Sequence, residues 1–147
     1  MKLTLEGIKN ASAWNGFKLP AFDIEKMCET TKQTPVWIHF GSGNIFRAFL
    51  CSAAQELLDT GVMTSGITAA ESHGTEIITE CFKPHDNLCV AVTLNGDGST
   101  SKEVVASVGE ALTTAYDFNR IADIFCTDSL QMVSFTITEK GYALRDA

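Results

Sequence analysis

The chain has 147 residues, 45% of them hydrophobic and 20% charged, with a net charge of −7. That length suits one globular domain, and the acidic balance argues against a nucleic-acid partner, which would require a basic face to displace counterions. Five cysteines, Cys28, Cys51, Cys81, Cys89 and Cys126, are odd in number and form no Cys-x-x-Cys pair, so they read as packing thiols in a reducing compartment rather than a disulfide framework or zinc site. The opening residues lack the apolar stretch of a signal peptide, and no apolar run approaches the ~20 residues of a membrane span. The expected location is the cytoplasm, away from membranes.

Residues 1–34 mix polar and isolated apolar residues and read as an N-terminal arm, with a short helix expected over 23–30. Residues 35–147 read as one mostly parallel α/β domain of the Rossmann-like kind. Its key is the run Pro35-Val36-Trp37-Ile38-His39-Phe40-Gly41-Ser42-Gly43-Asn44-Ile45-Phe46-Arg47, an apolar strand, a glycine turn and a helix start in direct succession. Gly41 and Gly43 let the backbone turn sharply and approach an anion. The amides at Asn44, Ile45 and Phe46 would then meet a pyrophosphate at the positive end of the helix. Phe46 stands where the dinucleotide fingerprint has a third glycine, so either the helix is held away from the strand or the ring points into the cofactor cleft. Arg47 is placed to reach a cofactor phosphate or substrate carboxylate, or else to form a surface ion pair.

From Ile45 onward, Phe46, Phe49, Leu50, Ala53, Ala54, Leu57 and Leu58 repeat at helical spacing, with Gly61 at the expected C-terminal cap. Residues 65–71 then read as a second buried parallel strand ending in Glu71. This acid lies further along than the ~20 residues usual for the ribose-binding carboxylate. Its expected role is to accept hydrogen bonds from the adenosine ribose and repel a 2′-phosphate, which favours NAD over NADP.

Residues 75–82 suggest a helical turn stopped by Lys83-Pro84. Residues 88–94 and 103–108 read as a β-hairpin joined through Asn95-Gly96-Asp97-Gly98, with both Asx-Gly steps supplying positive φ. Asp117 is the expected cap of a helix over 118–126, with Phe118, Ile121, Ala122 and Phe125 on its buried face. A final strand is expected over 132–138. Thr138, Glu139 and Lys140 follow at its carboxyl edge, where open α/β sheets bind ligands.

Other chemistries find little support. His39 alternates with apolar residues and reads as a buried, hydrogen-bonded core residue. His73 and His85 have no ligand spacing with a cysteine, so no metal is expected, and Ser42 lacks the Gly-x-Ser-x-Gly setting of a hydrolase nucleophile. No Gly-Lys-Ser/Thr phosphate loop exists.

Two segments together resemble a known family. His39-Phe40-Gly41-Ser42-Gly43-Asn44-Ile45-Phe46-Arg47-Ala48-Phe49 resembles the amino-terminal motif of the mannitol dehydrogenase family of polyol-specific long-chain dehydrogenases and hexuronate reductases. Phe135-Thr136-Ile137-Thr138-Glu139-Lys140-Gly141-Tyr142 resembles its Thr-x-Thr-Glu-x-Gly-Tyr stretch. The resemblance implies metal-free, NAD(P)-dependent interconversion of a polyol or sugar acid with its keto form, with Thr138 and Glu139 near the nicotinamide. The family's catalytic lysine, asparagine and histidine and its Val-Asp-Arg signature have no counterpart here. The expectation is therefore an inactive amino-terminal fragment, able at most to bind cofactor and prone to self-association through an open sheet edge. The competing reading is a non-enzymatic nucleotide-sensing module, and a weaker one is a structural α/β domain.

Overall fold

A computed structural model describes residues 1–137. The apolar segments assemble into a four-stranded parallel sheet of order β5-β2-β1-β6, where β1 is Trp37–Phe40, β2 Ile67–Glu71, β5 Val108–Thr113 and β6 Met132–Phe135. A separate antiparallel hairpin pairs β3, Cys89–Leu94, with β4, Thr100–Val105.

Alternation along β1 divides the core. Trp37 lies on one face with Ile67, Ala69 and Val108, under Phe46, Cys51 and Ala54 of the helix that follows the glycine turn. Ile38 lies on the other face with Ala70 and Leu112, against Ile121 and Ile124 of α4, Phe118–Phe125. Helices on both faces of a parallel sheet make a doubly wound α/β arrangement. The chain first moves from β1 to β2, and later returns through α4 to β6 on the other side of β1. The carboxyl ends of β1 and β6 thus flank the point where strand order reverses.

The first two amphipathic helices end as their caps dictate. In α2, Ile24–Gln33, the Asp23 side chain accepts from the Lys26 amide at 3.0 Å. The Thr31 hydroxyl on the same helix accepts from the Gly66 amide at 2.7 Å, which fixes α2 to the sheet. In α3, Cys51–Asp59, the Gly61 amide donates to Leu58 and the Val62 amide to Leu57, with Gly61 at φ +74, the paired bonds of a glycine C-cap. The arm is tied down: α1, Leu5–Ile8, precedes the buried Trp14, and Lys18 exchanges backbone bonds with Lys102 and Val104 of the hairpin.

Several expectations are corrected. The chain leaves the hairpin after Val105, and Val108 opens β5, which pairs with β2. A strand reading Val-Gly-Glu-Ala-Leu-Thr carries a glycine and an acid that conceal its pattern. Only Gly98 of the hairpin glycines has positive φ. The segment expected as a helical turn over 75–82 forms a π-helix at Ile77–Phe82. Asp117 accepts from the Thr113 amide at 2.8 Å instead of capping α4 through its side chain. Phe118 and Phe125 are exposed, while Ile124 is buried with Ile121.

The largest departure lies in the helix after the glycine turn. Phe46–Leu50 is a π-turn that runs directly into α3. It adds a residue between inward positions, so Phe46 is followed inward by Cys51, Ala54, Gln55 and Leu58, while Phe49 and Leu57 face out. Among the cysteines, Cys51 is buried and Cys28 and Cys89 are half-buried, but Cys81 and Cys126 are exposed, so packing does not account for all five. Burial pushes the Cys51 thiol far up and that of Cys89 to about 11, which keeps both neutral at pH 7.

Candidate dinucleotide-binding turn

The site is built where β1 stops. Gly41 adopts φ +104, and a Cβ there would meet Thr136 Oγ1 at 2.4 Å and Thr136 O at 2.9 Å, so conformation and space both require glycine. At Gly43 a Cβ would meet nothing within 4 Å. The backbone there faces open space, a cradle that a ligand group can approach closely.

The first helical bond runs from the Arg47 amide to Gly43 O at 3.1 Å. The amides of Asn44, Ile45 and Phe46 therefore precede the first intrahelical donor and have no carbonyl partner within the helix, the setting in which helix ends hold anions. Asn44 is exposed, and its Oδ1 accepts from Arg47 Nη2 at 2.7 Å. This side-chain bond aligns Arg47 along the helix end. Arg47 Nε is buried without a protein partner.

Phe46 resolves the question raised by the missing third glycine. Its ring is fully buried and stacks on His39, with centroids 4.4 Å apart and planes 2° from parallel. It lies in the core rather than in the cleft, and only its backbone is left for a ligand. Ile45 has the opposite placement, with 69% of its surface exposed beside the turn.

Glu71 stands beside Ser42 across the two adjacent strand ends. Its Oε2 accepts from the Ser42 amide at 3.0 Å and the Ser42 hydroxyl at 2.5 Å, and its Oε1 accepts from the amides of Ser72 at 3.0 Å and His73 at 2.9 Å. A carboxylate has about four acceptor positions, and these four bonds occupy them. A ribose hydroxyl donating to Glu71, as expected from the sequence, would have to share or displace one of these bonds. Burial pushes the carboxyl upward, but the bonds from Ser42, His73 and Ser72 outweigh it and hold Glu71 below its ordinary value. The group is an anion at neutral pH and fixes the loops on both sides of it.

The structure thus brings Gly41, Gly43, Asn44, Ile45, Phe46, Arg47 and Glu71 to the carboxyl ends of β1 and β2. Thr138 and Glu139 lie outside the described residues. Sequence reasoning missed Ser42, which binds Glu71, and Thr136, which packs on Gly41. A hydroxyl between two glycines was the available signal for Ser42. None existed for Thr136, whose partner is distant in sequence.

Among the described residues no helix is long and apolar enough to cross a membrane. No protein-family model matches the chain. D-mannonate oxidoreductase of Thermotoga maritima is 44% identical over 151 residues, covering 99% of this chain and 28% of the relative. Polyol:NADP oxidoreductase of Gluconobacter oxydans is 25% identical over 148 residues, covering 98% and 28%. Among solved structures, D-sorbitol dehydrogenase in substrate-free form superposes with a TM-score of 0.82 at 22% identity, over 99% of this chain and 29% of that one. Mannitol 2-dehydrogenase of Pseudomonas fluorescens, in a ternary complex with NAD and D-mannitol, gives 0.77 at 23% identity, over 97% and 28%. The chain spans little more than a quarter of the length of these relatives. The superpositions show a Rossmann-like fold, and the named relatives bear out the resemblance drawn from the two motifs.

Proposed function

We propose that this homologue of the mannitol-dehydrogenase kind of polyol and sugar-acid oxidoreductases is their dinucleotide-binding part, with residues 35–147 as the nucleotide domain and 1–34 as its arm. The observation that carries the reading is the turn itself: Gly43 opens onto empty space in front of three amides without intrahelical partners. Gly41, Gly43, Asn44, Ile45 and Phe46 are assigned to the pyrophosphate through their backbone, and Arg47 to a phosphate through its guanidinium. Thr138 and Glu139 are assigned to the nicotinamide side on the family resemblance alone.

Bound there, the cofactor supplies a hydride acceptor or donor for interconverting a polyol or sugar acid with its keto form. This chain's residues bind and orient it. NAD is preferred over NADP in this reading, because the Glu71 anion beside the turn repels a 2′-phosphate by charge even though its lone pairs are engaged. A cytoplasmic setting accords with five free thiols. The exposed edge of β6 is read as a site of self-association, expected as rising mass with concentration in light scattering; a monomer throughout refutes it.

Calorimetric titration of the folded chain with NADH and NADPH tests the cofactor reading. NADH binding with weaker NADPH binding is the expected result. Failure of both nucleotides to bind overturns it for this chain, and equal binding overturns the role given to Glu71.

A further inference from the structure

Beneath the glycine turn lies a line of polar side chains that links β1 to β6. Trp37 Nε1 donates to Ser134 Oγ at 2.7 Å, and Ser134 Oγ lies 2.7 Å from His39 Nδ1. His39 Nε2 lies 3.2 Å from Thr136 Oγ1, which donates to the Gly41 carbonyl at 3.1 Å. His39 is fully buried and stacked on Phe46, so it has no water-facing alternative.

With the Thr136 hydroxyl donating to Gly41 O, counting protons sets the direction of the other bonds in the line. The indole N–H can only donate and a carbonyl can only accept. Thr136 has one hydroxyl proton, committed to Gly41 O, so toward His39 it offers a lone pair and Nε2 must carry the hydrogen. Nδ1 is then bare and accepts from Ser134, whose oxygen receives the indole N–H. The opposite tautomer would set two donors on Ser134 and leave its own proton, or an acceptor near Thr136, without a partner. Burial holds the imidazole below its ordinary value, which keeps the ring neutral.

The chain of bonds ends on one peptide group. The carbonyl of the Gly41–Ser42 peptide is held by Thr136, directly after β6, and its N–H by Glu71 from β2. Clamped at both ends, this peptide cannot rotate, and its plane sets the direction of the amides that follow. We propose that His39, as the neutral tautomer protonated on Nε2, is a positioning residue for the dinucleotide turn and acts through Thr136 on the Gly41 carbonyl. The inference rests on the cofactor reading given above for its function, and on the bond pattern alone for its geometry.

The test uses the 147-residue chain. Long-range proton–nitrogen spectra should show His39 protonated on Nε2 and bare on Nδ1; protonation on Nδ1 overturns the proposal. In NADH titrations Thr136→Val should weaken binding about tenfold, the effect of losing one aligned hydrogen bond, and Thr136→Ser should restore it to within about twofold. Wild-type affinity in a folded Thr136→Val chain overturns the proposal. Where that variant does not fold, His39→Gln, which keeps an N–H toward Thr136, should bind NADH several-fold more tightly than His39→Leu, which does not, and equal affinities of the two refute the role. If the unaltered chain binds no NADH, the cofactor reading falls separately. The clamp is then read from amide exchange at Ser42, which Thr136→Val should accelerate; unchanged exchange overturns it.

Discussion

At one edge of the parallel sheet, β5 lies closed beneath α2, with Gly109 so near Thr31 that a Cβ would meet Oγ1 at 2.4 Å and Cβ at 2.6 Å. Arg120 of α4 braces the same strand, reaching Glu110 at 3.0 Å and the Lys32 carbonyl at 2.7 Å. At the other edge, β6 leaves Met132, Val133 and Phe135 exposed, and it meets β1 through the backbone ladder, the polar line through Ser134 and Thr136, and a stack of Phe135 on Phe40 with ring centroids 5.2 Å apart. The first edge is held by close packing and tolerates little change. The second is held by directional bonds and one half-exposed ring stack near the carboxyl end, where the glycine turn stands. Rigidity at β5 serves the fold, whereas order at β6 serves the turn.

The contrast predicts a graded series. Gly109→Ala should cost about 3 kcal/mol in urea unfolding, since the new methyl meets both the Thr31 Cβ and its Oγ1, held in place by bonds to Met27 O and the Gly66 amide. A loss under ~1 kcal/mol would mean the β5 edge yields. Glu71→Gln should cost about 2 kcal/mol, because an amide NH2 would face donors from Ser42 or from Ser72 and His73. The folded carboxyl lies below its unfolded value of ~4.3, so its stabilisation is fully present above that pH. It is lost as pH falls through the lower folded value. Wild type should therefore lose stability on acidification more steeply than Glu71→Gln in parallel unfolding titrations; superimposable curves would refute the buried anion. Arg120→Ala should cost about 1 kcal/mol, as a partly exposed ion pair with an added backbone bond. Smallest is Val133→Lys on the bare edge, expected within ~0.5 kcal/mol of wild type. Its effect should appear in light scattering as reduced self-association.

The parts legible in the sequence are those with local causes. An apolar run, two glycines and a capped helix identify β1, the turn and α3 because each signal lies within a few residues of its effect. β5 escaped notice because Gly109 and Glu110 are explained only by distant partners, Thr31 and Arg120. The inward face of the first helix was misread because its apolar stripe assumes regular α spacing, which the π-turn interrupts. At Glu71 the acid itself is legible, but its bonds to Ser42, Ser72 and His73 are not, because those donors converge on it only in the fold. Thr136 matters through a contact with Gly41 that no spacing rule encodes.

The π-turn bears on how this helix tolerates insertion and deletion. Phe46 and Cys51 both point inward although five positions apart, and Gln55 beyond them bonds to Val104 O at 2.8 Å and the Ala106 amide at 2.6 Å, holding the base of the hairpin. Removing one residue between Phe46 and Cys51 would leave them four apart, the ordinary spacing of one face of an α-helix. The packing of α3 therefore does not need the surplus residue. Its removal would instead rotate the exposed segment carrying Arg47 and Phe49 relative to the turn. The helix is thus separable into a packed load on the hairpin side and a register on the ligand side that a single residue re-aims without rebuilding the core.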